Sequence, residues 1–584
     1  MRTLSKLVLI AVTTASALAG REDGVPTKYN EATVAQLQAA MASGKLTSVE
    51  LTEFYLARIR ALDQGPEGVN SIIELNPDAL KIAQHADDLR SQGKVLGPLH
   101  GIPVLLKDNI DTADKMQTTA GSFALYGHPA LDDSTVAANL RAGGAVILGK
   151  TNLSEWANFR SFESTSGWSG RGGQTNNPYA LDRNPCGSSA GSGAAASANF
   201  ATVSFGTETD GSIVCPGNAN GVVAIKPTVG LTSRAGVVPI SHTQDTVGPH
   251  ARTVADAAVA LGVIQSRTYD GRDPATGDVP LGWQHTGKKR PKDIPEDYTQ
   301  FLNPDGLKGA TLGLTRAGLT GFENVPTPKS VLEALEQAVK ALRDAGATVI
   351  DLDAQGFVFP SPDGELFVLL YDFKGDVADY FATRVGVPVA GGTLADAIQF
   401  NIDHANVEMP FFNQDIFQVA NRIVLNPNYV EPHFGLSYNQ ALKIDHDAGV
   451  NGIDAAIKQF HLDAVVSATD NPAWSTDLIY GDRFIFGTSG LAAAPGYPIV
   501  QVPAGIVFGA PLGISFFGTA FSEPTLIKLA SGFEAVTHVR AHNPPTFADT
   551  VPDRHIQGTK LHPPRDDAET EIPQDIGKKK PRHL

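Results

Sequence analysis

The chain has 584 residues, 42% hydrophobic and 18% charged, and its 46 basic against 62 acidic residues leave a net charge of −16. That composition fits a globular protein with a sizeable core and excludes disorder as the main state. The acidic balance speaks against a nucleic-acid partner, and the run Lys578-Lys579-Lys580 reads as a solvated tail.

Taken in chain order, residues 1–19 read as a secretory signal, with Arg2 and Lys6 ahead of an apolar run at 7–12 and the cleavage signal Ala17-Leu18-Ala19. The apolar run is shorter than a bilayer requires, so the expectation is a secreted or periplasmic protein with no stable membrane span. Thr47 and Glu50 form a capping box ahead of an amphipathic helix over 51–62, and Asn76-Pro77 opens a helix that Gly93 ends. From residue 96 the pattern changes to short apolar runs at 102–106, 145–148 and 201–205, which predict buried strands. The Pro- and Lys-rich stretch 271–305 reads as a surface excursion. Beyond it come a strand at 310–314, a helix at 330–345 and a strand at 348–352. An aromatic-rich, mostly helical cover spans about 357–450, followed by strands at 464–466, 499–502 and 513–517 and a helix at 523–537. This alternation predicts the α/β class, as a single large α/β/α layered domain with a mixed central sheet over 20–557, followed by a mobile tail at 558–584. Two cysteines, Cys186 and Cys215, exclude a disulfide-built scaffold and a multi-Cys zinc site. An oxidising destination permits a bridge between them, but the residues alone favour buried free thiols.

Three places carry chemistry. Lys107 leaves the strand-like run 102–106, and a lysine at the end of a buried strand is desolvated, which lowers its pKa and lets it act as a base. Two Gly/Ser-rich turns follow, Gly187-Ser188-Ser189-Ala190-Gly191-Ser192-Gly193 and Gly206-Thr207-Glu208-Thr209-Asp210-Gly211-Ser212-Ile213. Glycine lets the backbone approach a ligand closely, and successive N–H groups in such turns form an anion-binding nest. A serine there can be a nucleophile with an oxyanion hole beside it.

The motifs GIPVLLKDNID, TTAGS, GKTNLSEWA, NPCGSSAGSGAAA, GTETDGSI, GVVAIKPTVG and SHTQDTVGPHARTVADAA occur in that order. Over about 99–256 the chain thereby resembles the amidase signature family, and GYPIVQVPAG and GAPLGISFFGTAFSEPTLIKLASGFE extend the likeness. The resemblance implies hydrolysis of linear amide C–N bonds by a Ser–cis-Ser–Lys triad, with no cofactor. Lys107 would be the base, Ser188 the bridging serine after a cis peptide, and Ser212 the nucleophile. The backbone N–H groups of Thr209, Asp210, Gly211 and Ser212 would form the oxyanion hole. Several positions depart from the common pattern: Asp210 and Cys186 stand where glycine is usual, Ala190 replaces a glycine, and Val214 stands where many members have arginine. The Glu-Thr-Asp-Gly-Ser variant is similar to the bacterial peptide amidases. It implies a small-molecule or peptide amide substrate, with C-terminal peptide amides or amino-acid amides favoured and Trp156, Phe159 and Asp210 as candidate contacts. The residues leave the oligomeric state open.

Other motifs compete. Gly187-Ser188-Ser189-Ala190-Gly191 also spells G-x-S-x-G, which would make Ser189 the nucleophile, but residues 182–185 make a poor preceding strand. Ser91 to Lys94 fits S-x-x-K at a helix end, and Gly191-Ser192-Gly193 imitates a dinucleotide fingerprint without a strand before it. No H-E-x-x-H occurs, so no metal is expected. Glu155 and Asp245 read as turn or network residues, and His242 and His250 as loop histidines. The alternative functions are a fatty-acid-amide hydrolase, the amidotransferase component that serves glutaminyl-tRNA formation, and a catalytically silent binding protein. Export and acidity speak against the second, and the filled triad positions against the third.

Overall fold

The structure is a computed structural model that describes residues 24–65, 67–319 and 327–551. The signal-like residues 1–19 and the tail 558–584 lie outside the described residues. The short apolar runs become strands of one eleven-stranded mixed sheet. These are β1 Ile72–Leu75, β2 Pro103–Lys107, β3 Val146–Thr151, β4 Val203–Glu208, β5 Val223–Lys226, β6 Thr246–Ala251, β7 Thr311–Leu314, β8 Thr348–Asp351, β9 Ala464–Ala468, β10 Ile499–Val507 and β11 Ala510–Phe517. Their spatial order is β1-β3-β2-β4-β6-β5-β10-β11-β9-β7-β8. β2 lies between β3 and β4, parallel to both, and every residue in it is buried. A continuous apolar run encodes it because neither face meets water. β4 then pairs antiparallel with β6, with Thr207 opposite Val247 and Glu208 opposite Thr246. The carboxyl ends of β2 and β4 therefore stand side by side, at the edge of the sheet where α/β enzymes gather polar groups.

Helices cover the sheet. Thr47 accepts from the Glu50 N–H while the Glu50 carboxylate accepts from the Thr47 N–H, capping the helix Ser48–Arg58, which continues as a wider π turn over Ile59–Asp63. Helices Ala79–Ser91, Lys329–Asp344 and Glu523–Thr537 fall where the sequence pattern puts them. The 357–450 region folds into helices Glu365–Ala382, Leu394–Asp403, Asp415–Arg422 and Tyr438–Gly449. Their apolar faces gather Phe367, Phe373, Phe381 and Phe417 into a second hydrophobic cluster with Ala120, Trp156, Phe159 and Ile240 of the signature stretch. Each large apolar side chain buried there contributes about 1.5–3 kcal/mol, which holds the cover on the sheet layer. Among the described residues no helix is long and apolar enough to cross a membrane.

Three features differ from the sequence reading. The 271–305 stretch is packed down, with Trp283 among Tyr497, Phe521 and His446, and Arg290 donating to the carbonyls of Gly230 and Ser266. Isolated aromatics among Pro and Lys carry no periodicity that would announce this. His250 is a buried strand residue of β6 and not a loop histidine; Gly248 and Pro249 suggest a turn, but β4 pairs along the whole segment. Cys186 and Cys215 form a disulfide, with Cα atoms 5.9 Å apart, against the expectation of free thiols. Separated by 29 residues in sequence, they meet because the loop before the helix Ala190–Ser197 and the start of the helix Val214–Ala219 lie against each other. Chain-entropy arguments give closure of such a loop about 3–4 kcal/mol. Replacing both cysteines by serine is therefore expected to lower the unfolding free energy by about that amount, measured as a lower urea midpoint against the wild type. An unchanged midpoint would show that the bridge adds nothing to stability.

Candidate active site

Lys107 closes β2 and is fully buried. Its Nζ lies 2.7 Å from Ser188 Oγ, 2.8 Å from Thr207 Oγ1 and 3.3 Å from the Thr207 carbonyl oxygen. Among the described residues no carboxylate pairs with it. All three contacts are with uncharged oxygens, which compensate an ammonium less than a carboxylate would. Burial brings the Lys107 pKa down to about 7, outweighing the more distant charges of Asp245 and Glu208, which favour the ammonium. Asn109 Nδ2 donates to Thr207 Oγ1 at 2.9 Å and fixes that hydroxyl in place.

Ser188 follows a cis peptide bond after Gly187, and its carbonyl accepts from the Ser154 N–H at 3.0 Å. The next residue ties the two serine loops together, since the Ser189 N–H donates to the Ser212 carbonyl at 3.1 Å. Ser189 Oγ donates to the Thr207 carbonyl at 3.0 Å and accepts from the Thr207 N–H at 3.1 Å, so its hydroxyl is spent and the G-x-S-x-G reading lapses. Ser192 is spent likewise on the Phe205 carbonyl at 3.0 Å. Gly191 is there for packing, because a Cβ on it would come within 2.4 Å of the Ser71 carbonyl. Cys186 takes φ +57°, a backbone that glycine adopts freely, which accounts for glycine being common at this position.

Of the three triad candidates Ser188 and Lys107 are wholly buried, whereas Ser212 is 8% exposed and so the one open to the outside. Gly211 turns the loop at φ +79° just before it. The N–H groups of Thr209, Asp210, Gly211 and Ser212 donate to no acceptor among the described residues, whereas the next two, of Ile213 and Val214, are taken by Glu208 Oε2 at 2.6 and 2.9 Å. Four unspent donors in succession form a nest suited to an oxyanion.

The surroundings brace this loop. Asp245 Oδ1 accepts from Thr209 Oγ1 at 2.6 Å, and Oδ2 accepts from the N–H groups of Ile240 and Ser241 at 2.8 and 3.0 Å. Glu155 pairs with Arg160 at 2.8 Å, and burial, with Glu408 nearby, pushes its carboxyl up to about 8 although Arg160 opposes this. Both acids are network residues. His242 is more than a loop histidine: its Nδ1 lies 2.9 Å from Asp376 and 3.6 Å from Asp372, and the three ligand-type atoms fall within 4.8 Å of one another. Burial disfavours the imidazolium, but the hydrogen bond to Asp376 and the charges of Asp372 and Asp376 outweigh it and hold the pKa at about 9. The grouping is thus an ion-pair anchor between the 240–245 loop and the helix Glu365–Ala382. Trp156 packs edge-on against Phe381 and Phe417, and Phe159 against Phe373, so both sit in the seam under the cover rather than on an open wall. Asp210 is half-buried beside Ser212. Glu365, which the sequence did not single out, reaches the same place from the cover and hydrogen-bonds the Asp210 carboxyl.

Known proteins resemble this chain over most of its length. The profile of the Amidase family matches residues 50–527. A probable amidase of Arabidopsis thaliana is 42% identical over 527 residues, covering 88% of this chain and 92% of that protein. One subunit of the glutamyl-tRNA(Gln) amidotransferase of Chloroflexus aurantiacus is 31% identical, covering 89% of this chain and 99% of that one. Among solved structures, native peptide amidase from Stenotrophomonas maltophilia superposes with a TM-score of 0.77 at 44% identity, covering 89% of this chain and all 100% of that one. With the large mixed sheet, these likenesses show that the chain belongs to the Amidase family and is an amide-hydrolysing enzyme of the amidase signature fold.

Proposed function

We propose that the enzyme hydrolyses linear carboxamides through Ser212, Ser188 and Lys107, with C-terminal peptide amides or amino-acid amides as its substrates. The observation that carries the reading is the buried Lys107 amine, 2.7 Å from Ser188 Oγ and without a carboxylate partner among the described residues. A serine hydroxyl is a weak nucleophile at its own pKa and needs a positioned base. Neutral Lys107 draws the Ser188 proton as Ser188 takes the proton of Ser212, whose oxygen attacks the amide carbon. The negative charge that develops on the carbonyl oxygen meets the N–H groups of residues 209–212. The C–N bond then breaks, the proton returns through Ser188 to the departing amine, and Ser212 is left as an ester. Water, deprotonated by the same relay, attacks the ester and releases the carboxylic acid. The substrate preference draws on the likeness to the Stenotrophomonas peptide amidase and on a second structure of such an enzyme, peptide amidase PAM with the competitive inhibitor chymostatin, 45% identical to this chain.

We also propose export to an oxidising compartment. Arg2, Lys6 and Ala17-Leu18-Ala19 support it on the sequence side, and the Cys186–Cys215 disulfide suits such a destination. Sequencing the amino terminus of the protein recovered outside the cytoplasm should begin at Gly20; recovery of the uncleaved chain from the cytoplasm alone would refute export.

The relay has two direct tests. Ammonia release from a panel of peptide amides, fatty amides and glutamine should be greatest for the peptide amides and vanish in Ser212→Ala. Lys107→Ala should stay folded while kcat falls by roughly 10²–10⁴-fold, the share of a general base, and a variant with ordinary turnover would remove Lys107 from the mechanism. The second test is pH. Because the working form of Lys107 is the neutral amine and its pKa lies at about 7, kcat/KM should rise roughly tenfold per pH unit below that value and level off above it. A profile flat through neutral pH would contradict the role of Lys107 as base.

A further inference from the structure

The position that departs most sharply from glycine in the nucleophile loop is Asp210, and it is joined to the helical cover. Glu365, the first residue of the helix Glu365–Ala382, hydrogen-bonds the Asp210 carboxyl. Gln244 Nε2 donates to Glu365 Oε1 at 2.6 Å and to the Thr209 carbonyl at 3.2 Å, so the carboxyl pair and the loop that bears the unspent N–H groups move as one. Two carboxyls in contact do not readily ionise together, and one proton is shared between them. Burial and the charge of Asp210 push Glu365 well above the ordinary carboxylate range; burial raises Asp210 as well, opposed there by the Ser489 and Glu365 hydrogen bonds and the charge of Lys226. A proton shared by the pair is therefore favoured on Glu365, which leaves Asp210 as the acceptor.

The Asp210 carboxyl has no cationic partner among the described residues. Among the described residues neither Asp210 nor Glu365 forms an ion pair, and Lys226 acts on Asp210 only through its field. Asp210 Oδ1 is enclosed without a donor. Behind it Asp470 is fully buried with both carboxyl oxygens unpartnered, close enough to Asp210 and Glu208 for their charges to push its pKa up along with burial. An anion beside a nest meant for a developing oxyanion opposes catalysis by simple Coulomb repulsion unless a donor on the substrate neutralises it. The carboxyl stands on the residue whose own N–H faces the oxyanion, so the substrate group within its reach is one carbon away from the scissile carbonyl.

We propose that Asp210 accepts an N–H borne on the substrate's α-carbon and that Glu365 is the positioning residue that holds it there, so the enzyme selects amides of α-amino acids over plain acyl amides. The proposal rests on the reading of Ser212 as the nucleophile. The chemistry has two sources, the α-ammonium of a free amino-acid amide and the neutral N–H of a peptide.

Three amides that differ only at that atom test it: phenylalaninamide, N-acetylphenylalaninamide and hydrocinnamamide, compared by kcat/KM for ammonia release. The wild type should favour at least one of the first two over hydrocinnamamide by tenfold or more. Preference for phenylalaninamide assigns the ammonium, and preference for the acetylated amide assigns the peptide N–H. Asp210→Asn keeps the backbone N–H and removes the charge, and the ratio should fall tenfold or more whatever the absolute rates. Glu365→Gln retains a neutral donor and should preserve the ratio, whereas Glu365→Ala should collapse it, a rescue pattern that a merely structural role would not give. Equal cleavage of all three amides by the wild type, or an unchanged ratio in Asp210→Asn, would overturn the proposal alone. If none of the three released ammonia, the reading of Ser212 would fail instead.

Discussion

The structure depends on one desolvated amine. Lysine is an ammonium in water, and what favours the neutral amine at Lys107 is a pocket that offers hydroxyls and a carbonyl where an ion pair would need a carboxylate. Lys150 makes the contrast within the same sheet. It too is fully buried, and its Nζ donates to the Ile110 carbonyl at 2.5 Å and to Thr118 Oγ1 at 3.0 Å. Burial lowers its pKa as well, but Asp108, Asp111, Asp114 and Glu74 all act on it to favour the charge, against two acids for Lys107. Two lysines of equal burial thus differ in what surrounds them, and only one faces a serine.

Much of the remaining architecture keeps that amine and the two serine loops in register. β2 delivers Lys107 and β4 delivers Thr207 at adjacent strand ends, a placement that the parallel pairing of β2 with β4 enforces. Ser189 and Ser192 zip the helix Ala190–Ser197 onto β4, which fixes where Ser188 can stand. The backbone bond from Ser189 to Ser212 and the disulfide from Cys186 to Cys215 then join the two serine loops at Ser212 and three residues beyond it. These links come from separate stretches of chain, so the alignment of the two loops does not rest on any single one.

The parts legible in the sequence were those that local pattern encodes. The apolar run ending at Lys107, the glycine-rich turns and the Thr47 capping box each declare themselves within a few residues, and the structure places each element there. What stayed hidden depends on contacts between distant residues. Whether two cysteines bridge is decided by where their loops meet, and His250 is a strand residue because β4 pairs with it. Trp156 and Phe159 carry the composition of a binding wall, yet the phenylalanines of the cover, more than 200 positions away, turn them into core. Glu365 gives no local signal at all: at the start of a helix an acid is ordinary, favoured by the dipole of that terminus, and only the fold shows that it meets Asp210.

That same helix terminus explains how an acid pair can exist beside an oxyanion nest. The free N–H groups of the first turn of Glu365–Ala382 carry partial positive charge, and Asp445 accepts one neighbouring N–H, from Gly364, at 3.0 Å. Three carboxyls, Asp210, Glu365 and Asp445, therefore converge on one terminus, where burial pushes Asp445 up to about 8 and Glu365 higher than the ordinary range. Burial raises Asp210 too, so all three hold their protons more tightly than exposed carboxyls do. A glycine in place of Asp210 would remove its carboxyl and leave Glu365 without that partner in the loop. The cover and the residue at position 210 are in this sense one device, in which the loop contributes one carboxyl and the cover contributes the other, tied to the loop through Gln244.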